Sequence, residues 1–209
     1  MARGRFITFE GGEGAGKSTQ AKRLSHRLEG AGIATLITRE PGGTVLGEDI
    51  RNLILKDRPQ DPVTELLLFA AARAEHMTAV IRPALDEGTW VISDRFIDST
   101  RVYQGHLYGI EPDLIAQLER TTVATDVPDL TLILDLPAEE GLARAQLRGT
   151  LSRYDAERLE THEALREGFL EIANREPKRC ILIDGNLAEA SVETAVWQAV
   201  SDRLLSTVL

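Results

Sequence analysis

One cysteine, Cys180, stands in a chain of 209 residues. No internal disulfide can staple such a chain, and nothing in its sulfur content ties it to an oxidising compartment. The surrounding Cys-Ile-Leu-Ile-Asp reads as a buried strand with the thiol as a small core residue. Positive charge is also scarce: 24 Lys and Arg face 33 Asp and Glu, a net of -9. That balance excludes non-specific coating of a nucleic-acid polymer, which needs cations against phosphates. A locally basic cleft remains compatible with it. Long apolar runs are missing, and none approaches the ~20 residues of a membrane span. The opening Met-Ala-Arg-Gly-Arg-Phe-Ile-Thr-Phe-Glu holds neither an apolar h-region nor a cleavage site, so a cytoplasmic protein without a membrane partner is expected. The histidines His26, His76, His106 and His162 show no metal-ligand spacing and receive no role.

What is present is ordinary globular material, 43% hydrophobic and 27% charged, enough to bury a core within one domain spanning 1–209. Short apolar runs at 6–10, 35–38, 90–94, 130–136 and 180–184 are mostly continuous rather than alternating, as strands covered on both faces are. Helical spacing occupies 17–28, 45–55, 62–85 (as one long helix or two), 113–123, 139–147, about 155–175 and 187–205. Strand and helix in alternation predict an α/β fold, a five-stranded parallel sheet flanked by helices in three layers. The polar, glycine-containing stretch at about 148–155 joins two helical patterns and is expected to be a short lid.

Gly11-Gly12-Glu13-Gly14-Ala15-Gly16-Lys17-Ser18 follows the first strand and opens a helix. It matches G-x-x-x-x-G-K-[ST], the phosphate-gripping P-loop. Its glycines let successive N–H groups converge on one anion, and the helix beginning there adds its positive end. Lys17 is expected at the β- and γ-phosphates of ATP, Ser18 on Mg²⁺, and Thr19 beside them. A P-loop does not name a reaction. The Asn-Lys-x-Asp guanine signature is absent. Asp94 ends the run Val91-Ile92-Ser93-Asp94 as a metal-holding acid would, and Asp135 ends a similar one. Arg95 follows Asp94 where a water-activating carboxylate would suit an ATPase. An arginine there suits a second anionic substrate, which favours Asp94 over Asp135. Glu13 would repel phosphates if it faced them. It must turn away, to solvent or to a donor such as an acceptor's sugar hydroxyl.

Further along come Thr38-Arg39-Glu40-Pro41-Gly42-Gly43, Phe69-Ala70-Ala71-Ala72-Arg73, Asp94-Arg95-Phe96-Ile97-Asp98-Ser99-Thr100 and Tyr103-Gln104-Gly105. With the P-loop, this ordered series closely resembles thymidylate kinase, from Phe6 to Asp184. The resemblance implies a P-loop kinase fold with an arginine-bearing lid, transfer of the γ-phosphoryl group of ATP to dTMP, Mg²⁺, and a homodimer, for which the apolar helices around Leu66 to Ala72 are available. It implies Arg95 on the dTMP phosphate with Arg39 in support, Phe69 stacked on thymine, and Arg73 on a thymine carbonyl. Ser99 and Thr100 would line the base pocket, Tyr103 and Gln104 would crowd out a 2′-hydroxyl, and Glu13 would address the 3′-hydroxyl. Each has a plainer alternative: Phe69 as core, Tyr103 as a strut, Arg73 in a helix-surface ion pair. Gly14 stands where some family members carry an arginine, and members without it supply lid arginines. Arg153 is expected on the transferred group, then Arg148, with Arg144 packing near adenine. Phe169 replaces a common Tyr, and Gly12 a larger apolar residue.

Overall fold

The computed structural model describes residues 2–56, 61–147, 149, 154 and 157–205. Five strands, β1 (Phe6–Glu10), β2 (Thr35–Arg39), β3 (Trp90–Asp94), β4 (Leu130–Asp135) and β5 (Cys180–Asp184), lie within a residue of the five apolar runs. They form one parallel sheet in the order β2-β3-β1-β4-β5. The chain builds β2 and β3 on one side of β1, then crosses to build β4 and β5 on the other. In such a sheet the crevice opens beyond the carboxyl ends of the strands, next to the strand where the direction reverses. Every motif quoted above lies at or beyond that edge or on the helices that close over it.

Helices cover both faces, as buried parallel strands require. On one, α1 (Lys17–Gly30) and α9 (Glu189–Val200) set Leu24, Leu28, Val192 and Val196 against Ile7, Phe9, Ile92 and Leu132. On the other, Phe6, Val91 and Phe96 pack with Met77, Ile81 and Leu85, and Ile133 packs with Val102, Leu165 and Phe169 of α8 (Leu159–Arg175). The centre of this second face is polar, which the reading of continuous apolar strands does not anticipate. Thr8 and Thr131 are buried and hydrogen-bonded at 2.8 Å. Asp98, fully buried, accepts from both terminal nitrogens of Arg179. The pairing satisfies charges that would otherwise be costly inside.

The 62–85 pattern forms one nearly continuous run: α3 (Pro62–His76), a wide turn over Met77–Ile81, and α4 (Arg82–Asp86). Asp61 caps it, accepting from the N–H groups of Val63 and Thr64, with Pro62 at the first position, where no N–H is required. Beside it lies α2 (Val45–Lys56), whose Ile50 and Ile54 meet Ala72. A helical segment that spacing does not announce follows β3. It comprises α5 (Ile97–Thr100) and a wide turn over Arg101–Leu107, in which the Tyr108 N–H reaches the Tyr103 carbonyl five residues back. This segment brings Ser99, Thr100, Tyr103 and Gln104 to the wall of one cavity. α6 (Pro112–Thr122) and α7 (Ala138–Leu147) complete the layers.

Candidate active site

At the start of α1 the chain needs a left-handed residue, and Gly16 supplies it with φ 92° and no side-chain cap. The first amides of the helix therefore point outward as donors. Gly14 has φ 70°, and a Cβ there would lie 2.0 Å from the Gly141 carbonyl oxygen of α7. The loop thus excludes an arginine at this position sterically. Lys17 folds back along the loop, Nζ donating to the carbonyls of Gly12 (2.6 Å) and Gly11 (3.1 Å). Burial, then the neighbouring Arg95, lowers its ammonium to about 8. Glu13, Gly14, Ala15, Gly16, Lys17, Ser18 and Thr19 line a cavity of about 720 Å³. Gly11 and Gly12 take part through their carbonyls instead. At the far end Arg144 donates to the Gly185 carbonyl at 3.1 Å, over the loop that follows β5.

Ser18 Oγ donates to Asp94 Oδ2 at the mouth of this cavity. Asp135, the other acid at a strand end, is gripped by Arg166 through both carboxylate oxygens at 2.5 and 2.8 Å. Of the two, only Asp94 has its carboxylate beside the loop serine. Two oxygen donors side by side, one of them an acid, suit a hard divalent cation.

A second cavity, of about 360 Å³, holds Phe69, Arg73, Ser99, Thr100, Tyr103 and Gln104 on its walls. Phe69 is half-buried there rather than sealed in the core. Arg73 does pair with a carboxylate, but an interior one: its Nε donates to Glu40 Oε2 at 2.7 Å. Gln104 donates to Glu65 at 2.9 Å, and the Tyr154 hydroxyl donates to the same oxygen at 3.0 Å. Tyr154 also meets the Tyr103 ring edge-on at 5.2 Å. Phe169 packs edge-on against Tyr103 from behind, in the core.

The two cavities share one wall: Glu13, Arg39, Glu40, Arg51 and Arg95. Arg95 sits in the left-handed region at φ 70°, unusual for a residue other than glycine and frequent at functional turns. Its guanidinium donates to Glu13 (2.6 Å), the Gly11 carbonyl (3.2 Å) and Ser99 Oγ (3.1 Å), and lies 5.2 Å from the Tyr103 ring centre. Burial opposes its charge, but Tyr103, Glu13, Asp94 and Glu10 outweigh burial and raise it further. Glu13 does turn from the loop into this wall, where Arg95 and the Tyr103 hydroxyl (3.1 Å) are its donors. Arg39 pairs with Glu48 of α2 at 2.9 and 3.0 Å. Arg51, which sequence reading passed over, donates to the Pro41 carbonyl at 3.0 Å, and burial, then Arg39, lowers its guanidinium. Nothing near Arg51 in sequence marks it; only the packing of α2 beside the loop after β2 brings it here. Three arginines opposing one another's charge between two cavities match a shared polyanion.

The profile of the thymidylate kinase family matches residues 9–196. The chain belongs to the thymidylate kinase family. It is 53% identical to a thymidylate kinase of Bradyrhizobium diazoefficiens, over 98% of this chain and 92% of the relative. It is 51% identical to one of Rhodopseudomonas palustris, over 97% and 91%. The crystal structure of thymidylate kinase from Ehrlichia chaffeensis superposes with a TM-score of 0.76 at 37% identity, covering 95% of this chain and 99% of that one. The five-stranded parallel sheet flanked by helices is thus the thymidylate kinase fold. Arg148 and Arg153, expected in the lid, lie outside the described residues. No helix among the described residues is long and apolar enough to cross a membrane.

Proposed function

We propose that this kinase transfers the γ-phosphoryl group of ATP to dTMP, with ATP in the larger cavity, dTMP in the smaller, and their phosphates meeting at the arginine wall. The observation that carries the reading is that wall: two cavities of nucleotide dimensions that share, among the described residues, Glu13, Glu40 and three arginines. The loop amides and Lys17 hold the donor's phosphates, and Arg144 flanks adenine. Arg95, with Arg39 and Arg51, holds the acceptor phosphate in line. Phe69 stacks on the base, Arg73 and Thr100 address its polar edge with Ser99 beside them, and Tyr103 and Gln104 close the sugar side. Glu13 faces the sugar hydroxyl. No general base is required: the acceptor is a phosphate with a second pKa near ~6, already anionic at neutral pH, and the protein contributes alignment and charge. Ser18 and Asp94 would hold Mg²⁺, which when bound neutralises charge on the β- and γ-oxygens. Arg153 and Arg148 would add charge from the lid.

Val45, Leu46 and Leu53 of α2 and Val63 and Leu67 of α3 are exposed apolar residues on adjacent helices. They are the proposed homodimer contact, which light scattering would test against a monomer mass.

The reaction is tested by ADP formation from Mg-ATP with dTMP, UMP, AMP and thymidine at equal concentration. A clear dTMP preference supports the reading. Equal ADP without an acceptor, or a preference for AMP, would leave only the phosphate loop standing.

A further inference from the structure

Half of the six-residue series Thr38 to Gly43 faces the end of α3. Thr38 Oγ1 lies 2.6 Å from Nε2 of His76, the last residue of α3. Glu40 Oε1 lies 3.0 Å from His76 Nδ1. A Cβ on Gly43, whose φ is 79°, would fall 2.4 Å from His76 Nε2 and 2.8 Å from Thr38 Oγ1. Three of the six residues therefore converge on one imidazole, itself fully buried. A carboxylate only accepts, so Nδ1 donates to Glu40; in the neutral ring Nε2 then accepts the Thr38 hydroxyl.

The other oxygen of Glu40 continues the chain of bonds. It accepts Arg73 Nε at 2.7 Å, while Arg73 Nη2 donates to Thr100 Oγ1 (2.9 Å) and the Phe96 carbonyl (3.2 Å). Arg73 is also buried, against the Phe96 ring at 5.2 Å. A guanidinium has five N–H donors. Nε and Nη2 account for three of them, and Nη1, which has no protein hydrogen-bond partner among the described residues, keeps two. Since Arg73 lines the smaller cavity, Nη1 is the donor left for a ligand there.

We propose that His76 and Glu40 are positioning residues for the acceptor base: His76 orients the Glu40 carboxylate, which fixes Arg73 so that Nη1 meets a carbonyl of the pyrimidine. The proposal rests on dTMP occupying the smaller cavity. Thr100 and Phe96 hold Arg73 at Nη2; a Glu40 carboxylate held from its other side by His76 fixes it at Nε as well, which defines the guanidinium plane.

The test is steady-state kinetics of Glu40→Gln, His76→Asn and Arg73→Ala, and of the double variant Glu40→Gln/Arg73→Ala. Glu40→Gln is expected to raise KM for dTMP roughly 10-fold or more, the effect of loosening a charge-assisted contact, with KM for ATP little changed. His76→Asn, milder because Asn keeps a donor for Glu40, should raise KM for dTMP by about 3-fold, again sparing ATP. In the Arg73→Ala background, Glu40→Gln should add almost nothing, because the residue it positions is gone. Equal effects on KM for both nucleotides, or an undiminished Glu40→Gln effect without Arg73, would overturn the positioning role. Wild-type protein run alongside separates the two readings: if it shows no dTMP preference the proposed reaction fails, whatever the variants do.

Discussion

Glu10 ends β1 inside the protein, fully buried, with Phe96 N–H (2.8 Å) and Ser99 N–H (3.2 Å) donating to Oε1 and Ser99 Oγ (2.6 Å) donating to Oε2. It thereby fixes the turn that holds Arg95 at positive φ. Burial, then the charge of Asp98, pushes its carboxyl from 4.5 up to about 7. A raised acid favours the folded state only while protonated. Its contribution is complete below about pH 4.5 and is lost as pH climbs through 7, because the unfolded chain releases the proton first. At about 1.4 kcal/mol per pH unit across that window, the loss is on the order of 3 kcal/mol. Glu10→Gln removes the titration while keeping an oxygen for both N–H groups and an amide for Ser99 Oγ. The assay is urea unfolding of wild type and variant at half-unit steps from pH 5 to 8, reported as their difference so that histidines cancel. The carboxylates lowered by partners, Glu48 and Asp126, lose their contribution only at pH below this range. The variant should gain on wild type as pH rises to about 7, and the difference should level off above it. A difference independent of pH would show that Glu10 is ionised in the fold throughout, and would refute the reasoning.

Arg51→Ala should raise KM for dTMP by about 10-fold, as loss of one charge from a phosphate site does, and KM for ATP less; a change confined to ATP would place Arg51 on the donor side. Gly14→Ala should lower stability by a few kcal/mol or displace the loop from α7, because its Cβ would meet the Gly141 carbonyl at 2.0 Å; unaltered melting and unaltered KM for ATP would contradict that contact. Phe69→Ala should weaken dTMP by about 1–3 kcal/mol, the range for base–aromatic stacking, measured by calorimetry with no nucleotide in the other cavity; no change would return Phe69 to a core role.

Strands and phosphate loop were legible because their signals are local. Five apolar runs bounded by turn residues fall within a residue of the five strands, and the P-loop spacing needs only eight positions. The helical turn at 97–107 was not legible, because its sequence alternates Asp98, Arg101 and Gln104 with apolar residues that answer to three different neighbours. The acids Glu10, Glu40 and Asp98 look like surface residues in sequence. Their burial follows from partners 33 to 89 positions away, such as Arg73 for Glu40 and Ser99 for Glu10. His76 is the clearest case: no spacing marks it, and its meaning exists only once α3 meets the loop after β2.

The arginine wall also explains why two of its members carry internal carboxylates. Arg39 and Glu48 form a pair that is about half exposed on each side, 54% and 42%, and such pairs contribute little to stability. An arriving phosphate can therefore take Arg39 from Glu48 at small cost. Arg95 and Glu13 are more enclosed, at 16% each, and Glu13 is also held by the Tyr103 hydroxyl. Displacing that pair costs more, since a less solvated charge loses more when its partner leaves. In the proposed reaction the two arginines would then differ in task. Arg39 would be a recruitable cation that follows the ligand, whereas Arg95 would stay anchored to Glu13, Ser99 and the Gly11 carbonyl and present to the ligand only the donors those bonds leave. An anchored cation suits alignment of an in-line transfer, where displacement by 1 Å is expensive. A recruitable one suits capture. The division predicts that removing Glu48 tightens acceptor binding slightly, while removing Glu13 lowers turnover.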